Sequence, residues 1–313
     1  VLMPLGGAGF LLVEQIGPLI YLLRIFQGIG LAVALTAGYT LVAAFSPATR
    51  RGEGYGIHMV FTLLPHAIGP WVGEMAIRAS GFPAYILLAT SFGVLSLLFG
   101  ALLPSPKNVE RQESVTSFAV LVSRREIWPA MGTILILGSS FGAVLTFIPT
   151  YLKSQGFETV SFFFITYSLV AVCARILLGR LSDQWGRRKI ILPSLLGMAF
   201  VVSVLAMAGQ IATFIVAAIL FGISQGLSLP NLTALLVDRV KEIERGRVLG
   251  LFTGFFHLGI FLNTSSMGVV ASKFGYGTLY GLSAVIAVAG VILFAVCDPS
   301  RRNHPYSDVL DGH

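Results

Sequence analysis

Long, uninterrupted apolar runs alternate with short polar connections along the whole chain, at about 1–16, 19–45, 55–78, 83–103, 129–152, 160–179, 190–208, 212–236, 248–271 and 277–297. Each run is close to the roughly 20 residues that a tilted helix needs to cross a bilayer. The runs are continuous rather than alternating, which predicts helices. Strands of a membrane barrel show a period of two, and inside lipid a segment must satisfy its own backbone hydrogen bonds. The pattern therefore predicts an all-α integral membrane protein with ten spans, the first of them shortened at Val1.

Composition agrees, with 55% hydrophobic and only 11% charged residues in 313, far from the usage of soluble domains. A formal charge of +7 would point to nucleic acid in a soluble protein, but here the basic residues sit in short loops, where they set orientation. Alternate connections hold Arg50 and Arg51; Lys107, Arg111, Arg124 and Arg125; Arg180, Arg187, Arg188 and Lys189; and Arg239, Lys241, Arg245 and Arg247. Arg301 and Arg302 follow the last run, whereas the opposite set of connections has only Arg78, Lys153 and Lys273. The positive-inside rule then makes the first set and the C-terminus cytoplasmic, in a multi-pass protein of the cell (inner) membrane. Cys173 and Cys297 lie in or at the edge of different runs and read as packing residues, not as a disulfide or metal framework. Val1 opens the sequence inside an apolar run, without Met or a basic leader, so the chain is expected to be a piece lacking its beginning.

The longest polar stretch, from about Leu103 to Trp128, reads as a linker between two helix bundles. It divides the chain into an N-terminal bundle of about four spans (1–103), a cytoplasmic linker (104–128), a C-terminal six-helix bundle (129–297) and a cytoplasmic tail (298–313). An internal repeat relates the bundles. Gln27-Gly-Ile-Gly-Leu precedes Arg51-Gly-Glu-Gly-Tyr-Gly56, just as Gln225-Gly-Leu-Ser-Leu precedes Arg245-Gly-Arg-Val-Leu-Gly250.

Between two apolar runs stands Gly179-Arg-Leu-Ser-Asp-Gln-Trp-Gly-Arg-Arg-Lys189, a loop of glycine and charge. Gly179 and Gly186 permit a tight reversal, Asp183 supplies an acid, and Arg187, Arg188 and Lys189 anchor the next helix. This stretch resembles the loop signature of the major facilitator superfamily, with Gln184 where that signature has Arg or Lys. Arg24-Ile-Phe-Gln-Gly-Ile-Gly looks like the family's fourth-helix pattern. Gly69-Pro-Trp-Val-Gly73 looks like the core of a fifth-helix pattern associated with exporters, with Pro65 and Glu74 where that pattern has glycines. The overall texture is similar to bacterial drug and sugar efflux permeases.

The resemblance implies a twelve-helix fold of two pseudo-symmetric six-helix halves, of which about ten helices are present. It places the signature loop between the eighth and ninth parent helices. It also implies that Asp183 meets the start of the third span, around Gly54 to Gly56, with Arg51 or Arg175 as a second partner and Gly179, Arg180, Gly186, Arg187, Arg188 and Arg245 in the gating loops.

Arg24 and Arg175 lie within spans, where a cation needs water, a cavity or an acid. For Arg24, snorkelling to headgroups stands against a buried role in solute or proton passage, which the family pattern favours; Arg175 reads as an anchor near the loop. His66 and His257 are the membrane-embedded groups that ordinarily titrate nearest neutrality, and either a packing or a coupling role fits them. Each shares a helical face with small or polar residues: Thr62, Gly69 and Gly73 for His66, and Gly250, Thr253 and Thr264 for His257. Further cavity candidates are Gln27, Ser139, Thr146, Tyr167, Gln225 and Asn231, set against backbone bonding within their own helices. Asn231 and Asn263 head glycosylation patterns that fall inside spans and are discounted.

The sequence carries no HExxH, no P-loop and no paired carboxylates in a span, so neither an enzyme, a cofactor nor a metal site is expected. The expectation is a monomeric secondary transporter that exports a small organic solute by alternating access against proton entry. The alternatives are uptake or uniport of a sugar or organic acid, and a non-transporting receptor or scaffold on the same fold.

Overall fold

Helix is the regular structure throughout the described residues, as apolar runs in lipid require. The computed structural model describes residues 1–13, 15, 17–46, 51–103, 117–178 and 185–299. In order these form α1 (Leu2–Gly9), a 3-10 turn (Phe10–Leu12), α2 (Pro18–Phe45), α3 (Arg51–Leu102), α4 (Phe118–Ser123), α5 (Trp128–Ser154) and α6 (Ser161–Leu178). After the signature loop come α7 (Arg187–Leu205), α8 (Ile211–Asp238), a second 3-10 turn (Glu242–Glu244) and α9 (Arg245–Cys297). Among the described residues, 7 helical stretches are long and apolar enough to cross a membrane.

Two of these helices exceed a single crossing. α3 runs for 52 residues and α9 for 53, and each kinks where its backbone leaves the helical region. In α3 the break is at Ser80 and Gly81, and in α9 at Gly275. Gly81 (φ 76°) and Gly275 (φ 82°) sit at positive φ, where a Cβ would be strained.

The chain divides into two compact units, Val1–Arg111 and Gln112–His313. In the first, α1, α2 and α3 pack against one another, with Gly30 close to Met3 and Gly93 close to Pro4. In the second, α5 lies along α9, α6 along α8, and α7 against both α8 and α9. Small residues bring these backbones together, as is usual where apolar burial cannot drive helix association in lipid. A Cβ on Gly138 would strike the Phe256 carbonyl and one on Gly259 the Leu135 carbonyl, so α5 and α9 meet backbone to backbone. Gly222 and Gly226 make the same approach from α8 to Tyr167 and Ala171 of α6.

A polar node lies within the α5–α9 contact: Asn263 Nδ2 donates to Ser139 Oγ at 3.0 Å and to Ser283 Oγ at 3.3 Å, tying both arms of α9 to α5. At the far end of the second unit, Tyr151 donates its hydroxyl hydrogen to the Ala208 carbonyl and stacks on Tyr276.

The opposite end of this unit is a network of charge. Asp298, its side chain fully buried, pairs with Arg239 at 2.8 Å and Arg188 at 3.5 Å. Arg188 also donates to the Ala295 carbonyl at 2.7 Å, while Arg187 pairs with Asp238 at 2.7 Å. Arg239 further donates to the Glu126 carbonyl at 2.7 Å. Arg124 forks onto both oxygens of buried Glu244 at 2.8 Å, and these hydrogen bonds hold its guanidinium above its ordinary range against the cost of desolvation. Bidentate and doubly paired geometry makes these bonds stronger than those of exposed pairs. The network joins the segment before α5, the starts of α7 and α9, and the ends of α8 and α9.

Candidate solute-binding face of the second unit

On α8 the spacing of Phe221, Gln225, Ser228 and Leu232 puts all four on one helical stripe, and all are buried. Phe221 begins an aromatic cluster drawn from four helices. Its ring meets Tyr167 of α6 edge-on at 5.2 Å and stacks with Phe141 of α5 at 5.9 Å, while Phe141 meets Phe256 of α9 at 5.3 Å. Phe163 joins through both Tyr167 and Phe221, at 6.3 Å each.

On the same two helices, α6 and α8, lie buried polar atoms that the described residues leave without a hydrogen-bond partner: Tyr167 Oη, Ser168 Oγ, Gln225 Oε1 and Ser228 Oγ. Tyr167 and Ser228 are 0% exposed, and Gln225 and Ser168 2%. Each such atom costs about 1–3 kcal/mol unless water or a ligand meets it. Arg175, at the lower end of α6, donates Nε–H to the Gly226 carbonyl at 3.3 Å. The arrangement is a packed apolar interior, with Phe163, Tyr167 and Phe221 at 0% exposure, that carries neutral hydrogen-bonding groups.

Of the other residues read from the sequence, Ser139 is engaged by Asn263, and Asn231 turns inward, donating Nδ2–H to the Leu227 carbonyl at 2.7 Å. Thr146 is exposed and lines a groove of about 340 Å³ between α5 and α9, with Thr150, Gly268, Ser272 and Tyr276. His66 and His257 are exposed, each hydrogen-bonded through Nδ1 to a threonine carbonyl four residues earlier. In the first unit, exposed Arg24 lies 5.0 Å over the Phe10 ring and donates to Gln27 Oε1 at 3.3 Å.

Gly179, Arg180 and Asp183 lie outside the described residues, as does the Arg51 side chain, although α3 begins at Arg51. Gly186 adopts φ 90° at the entry to α7, the conformation that the glycine permits, and Arg245 opens α9 exposed. Reading the basic residues for orientation alone missed their acids, Asp238, Glu244 and Asp298. The signal was the pairing of acid and base in Asp238-Arg239 and Glu244-Arg245 at helix ends. Ser168 was also missed, since a serine in an apolar run ordinarily bonds within its own helix.

The many long apolar helices, with polar side chains buried between them, are those of a multi-pass membrane protein. The chain belongs to the Major Facilitator Superfamily, whose family model matches residues 1–167 and 156–308. It is therefore a multi-pass membrane transporter of that superfamily. Over 296 residues it is 27% identical to the staphylopine export protein of Staphylococcus aureus, covering 90% of this chain and 74% of that protein. It is 30% identical over 167 residues to the multidrug resistance protein MdtG of Salmonella typhi, covering 51% of this chain and 39% of that one. In fold it matches a D-xylose-proton symporter with a TM-score of 0.74 at 18% identity, covering 91% of this chain and 72% of the symporter.

Proposed function

We propose that this transporter exports a small organic solute by alternating access, driven by proton entry. The buried Tyr167 Oη, Gln225 Oε1 and Ser228 Oγ, without hydrogen-bond partners among the described residues, carry the reading, because a solute or its water meets these atoms at no cost in protein contacts. Similarity to one export protein over 90% of the chain supports the direction of transport. In this reading the kinks at Gly81 and Gly275 divide α3 and α9 into two spans each, giving ten spans of a twelve-helix plan. The charged end of the second unit and the C-terminus face the cytoplasm of the cell membrane, and the protein acts as a monomer. Arg24 and Gln27, His66 and His257, and Thr146 and Tyr167 with Gln225 contribute to passage. Ser139 and Asn231 support the neighbouring helices, and the loop around Asp183 gates the cytoplasmic side.

The test is transport by the full-length protein in proteoliposomes, with ethidium or staphylopine as solute and an internal pH dye. Solute movement that drives counter-movement of protons supports export. Solute without protons means uniport, solute with protons in the same direction means uptake, and movement of neither means a receptor or scaffold. Tyr167→Phe and Gln225→Leu should weaken solute binding by about tenfold each, the scale of one hydrogen bond lost in a closed site. Arg24→Ala should abolish coupled flux with normal insertion, and unchanged flux would return Arg24 to headgroup contact.

A further inference from the structure

Two histidines share one local geometry. His66 on α3 donates Nδ1–H to the Thr62 carbonyl at 3.1 Å, and His257 on α9 donates Nδ1–H to the Thr253 carbonyl at 2.8 Å. A carbonyl oxygen only accepts, so Nδ1 carries the hydrogen in each ring, and the neutral His257 ring presents Nε2 as its basic atom. The same brace in each unit fixes one tautomer.

His257 has the more informative surroundings. Gly259 and the Phe256 backbone face α5, which places His257 on the opposite, exposed side of α9. Gly250, Thr253, His257, Thr264 and Gly268 share that side, small and polar except for exposed Phe261 between His257 and Thr264. This side runs into the groove of Thr146, Thr150, Gly268, Ser272 and Tyr276, reaching it at Gly268, about 16 Å along the helix from His257.

Among the described residues, the elements packed on α9 hold their titratable side chains away from this level. α5 carries Tyr151 and Lys153 near its end. α7 has Arg187, Arg188 and Lys189 at its start, and α8 has Asp238 at its end. α4 has none, and Glu244 in the preceding turn is bonded to Arg124. On α9 itself Arg245 and Arg247 lie three turns before His257, Lys273, Tyr276 and Tyr280 four or more turns after it, and Cys297 at the end.

Resting on the reading of proton-driven export, we infer that His257 Nε2 takes up and releases the transported proton, reached through the α5–α9 groove and the Thr264–Gly268 stripe. Uptake converts the imidazole to an imidazolium with a new Nε2–H donor, while the Nδ1–H bond to Thr253 persists. The ring therefore loads a proton without turning. One proton arrives from water on the groove side and leaves to water on the other, and no electron moves.

The first test needs no transport. Nitrogen NMR of the full-length protein with labelled histidine, compared with His257→Gln to assign the signal, should show His257 in the Nδ1–H tautomer, with the second hydrogen of the protonated ring at Nε2. A neutral ring that holds its hydrogen on Nε2 overturns the inference. The second test adds ethidium to detergent-solubilised protein with a pH dye. Wild type and the exposed loop variant Lys241→Ala should release protons on ethidium binding, and His257→Gln should bind ethidium, as read by its fluorescence, without release. Release undiminished in His257→Gln overturns the assignment, whereas wild-type binding with no release overturns the coupled-export reading instead.

Discussion

The buried acid Asp298 shows how much one side chain holds together. Its carboxylate is paired with Arg188 and Arg239, so it links the start of α7 to the ends of α8 and α9. Removing one partner of a buried pair leaves the others charged and unmatched, at a cost on the order of 3 kcal/mol. Asp298→Asn should therefore lower the thermal midpoint in detergent well beyond Lys241→Ala, an exposed change expected to stay within about 0.5 kcal/mol. Equal midpoints would remove Asp298 from the stability of this end. Gly259 is the steric counterpart. Its missing Cβ is where the Leu135 carbonyl sits, so Gly259→Val must push α9 off α5 and break the Asn263–Ser139 bond beside it. The expected loss is about 1–3 kcal/mol, while Gly281→Val, with open space around it, should cost much less. Matching midpoints for the two variants would show that the helices separate freely.

At the level of whole elements, the apolar runs found the helices well. The run at 129–152 became Trp128–Ser154 and that at 212–236 became Ile211–Asp238. Continuous hydrophobicity is a local property, and in lipid it leaves the backbone no alternative to helix. The breaks within α3 and α9 were legible as the gaps at 79–82 and 272–276, because each holds a glycine and a few less apolar residues. Legibility ended at packing partners: nothing in the runs said that α6 would pair with α8 or α5 with α9. The placement of Lys and Arg predicts the orientation of the elements, and labelling tests it. In a full-length protein with Cys173 and Cys297 replaced by Ser, cysteines at Ser105 and Ser307 should resist an impermeant external thiol reagent, and one at Ser154 should react. Labelling of all three from one side would reverse the scheme.

For the molecule as a whole, the proposed alternating access needs two states, and the signature loop is where the resemblance puts the switch. If Asp183 favours the state closed to the cytoplasm by about 1–3 kcal/mol, the usual scale of conformational coupling, Asp183→Asn shifts the resting population toward the inward-open form. Solute binding should survive while turnover falls several-fold. Unchanged turnover, with unchanged labelling of a cytoplasmic-side cysteine, would deny the loop that role.

What the sequence by itself determined is the membrane class, the helical elements and the superfamily, since each rests on local chemistry: apolar length, backbone satisfaction in lipid, and a glycine-and-charge loop. Tyr167, Gln225 and His257 were visible as polar residues in apolar runs, but whether each bonds within its own helix depends on side-chain direction. Tertiary structure decided that. It left the buried Tyr167 Oη and Gln225 Oε1 without hydrogen-bond partners among the described residues, drew Ser139 into a bond with Asn263, and turned Asn231 back onto Leu227. It also gathered Arg124, Arg188 and Arg239 onto Glu244 and Asp298, across as many as 120 residues of chain. The physical reason is that a buried polar group is defined by its partners, and partners brought together by packing have no fixed spacing in sequence.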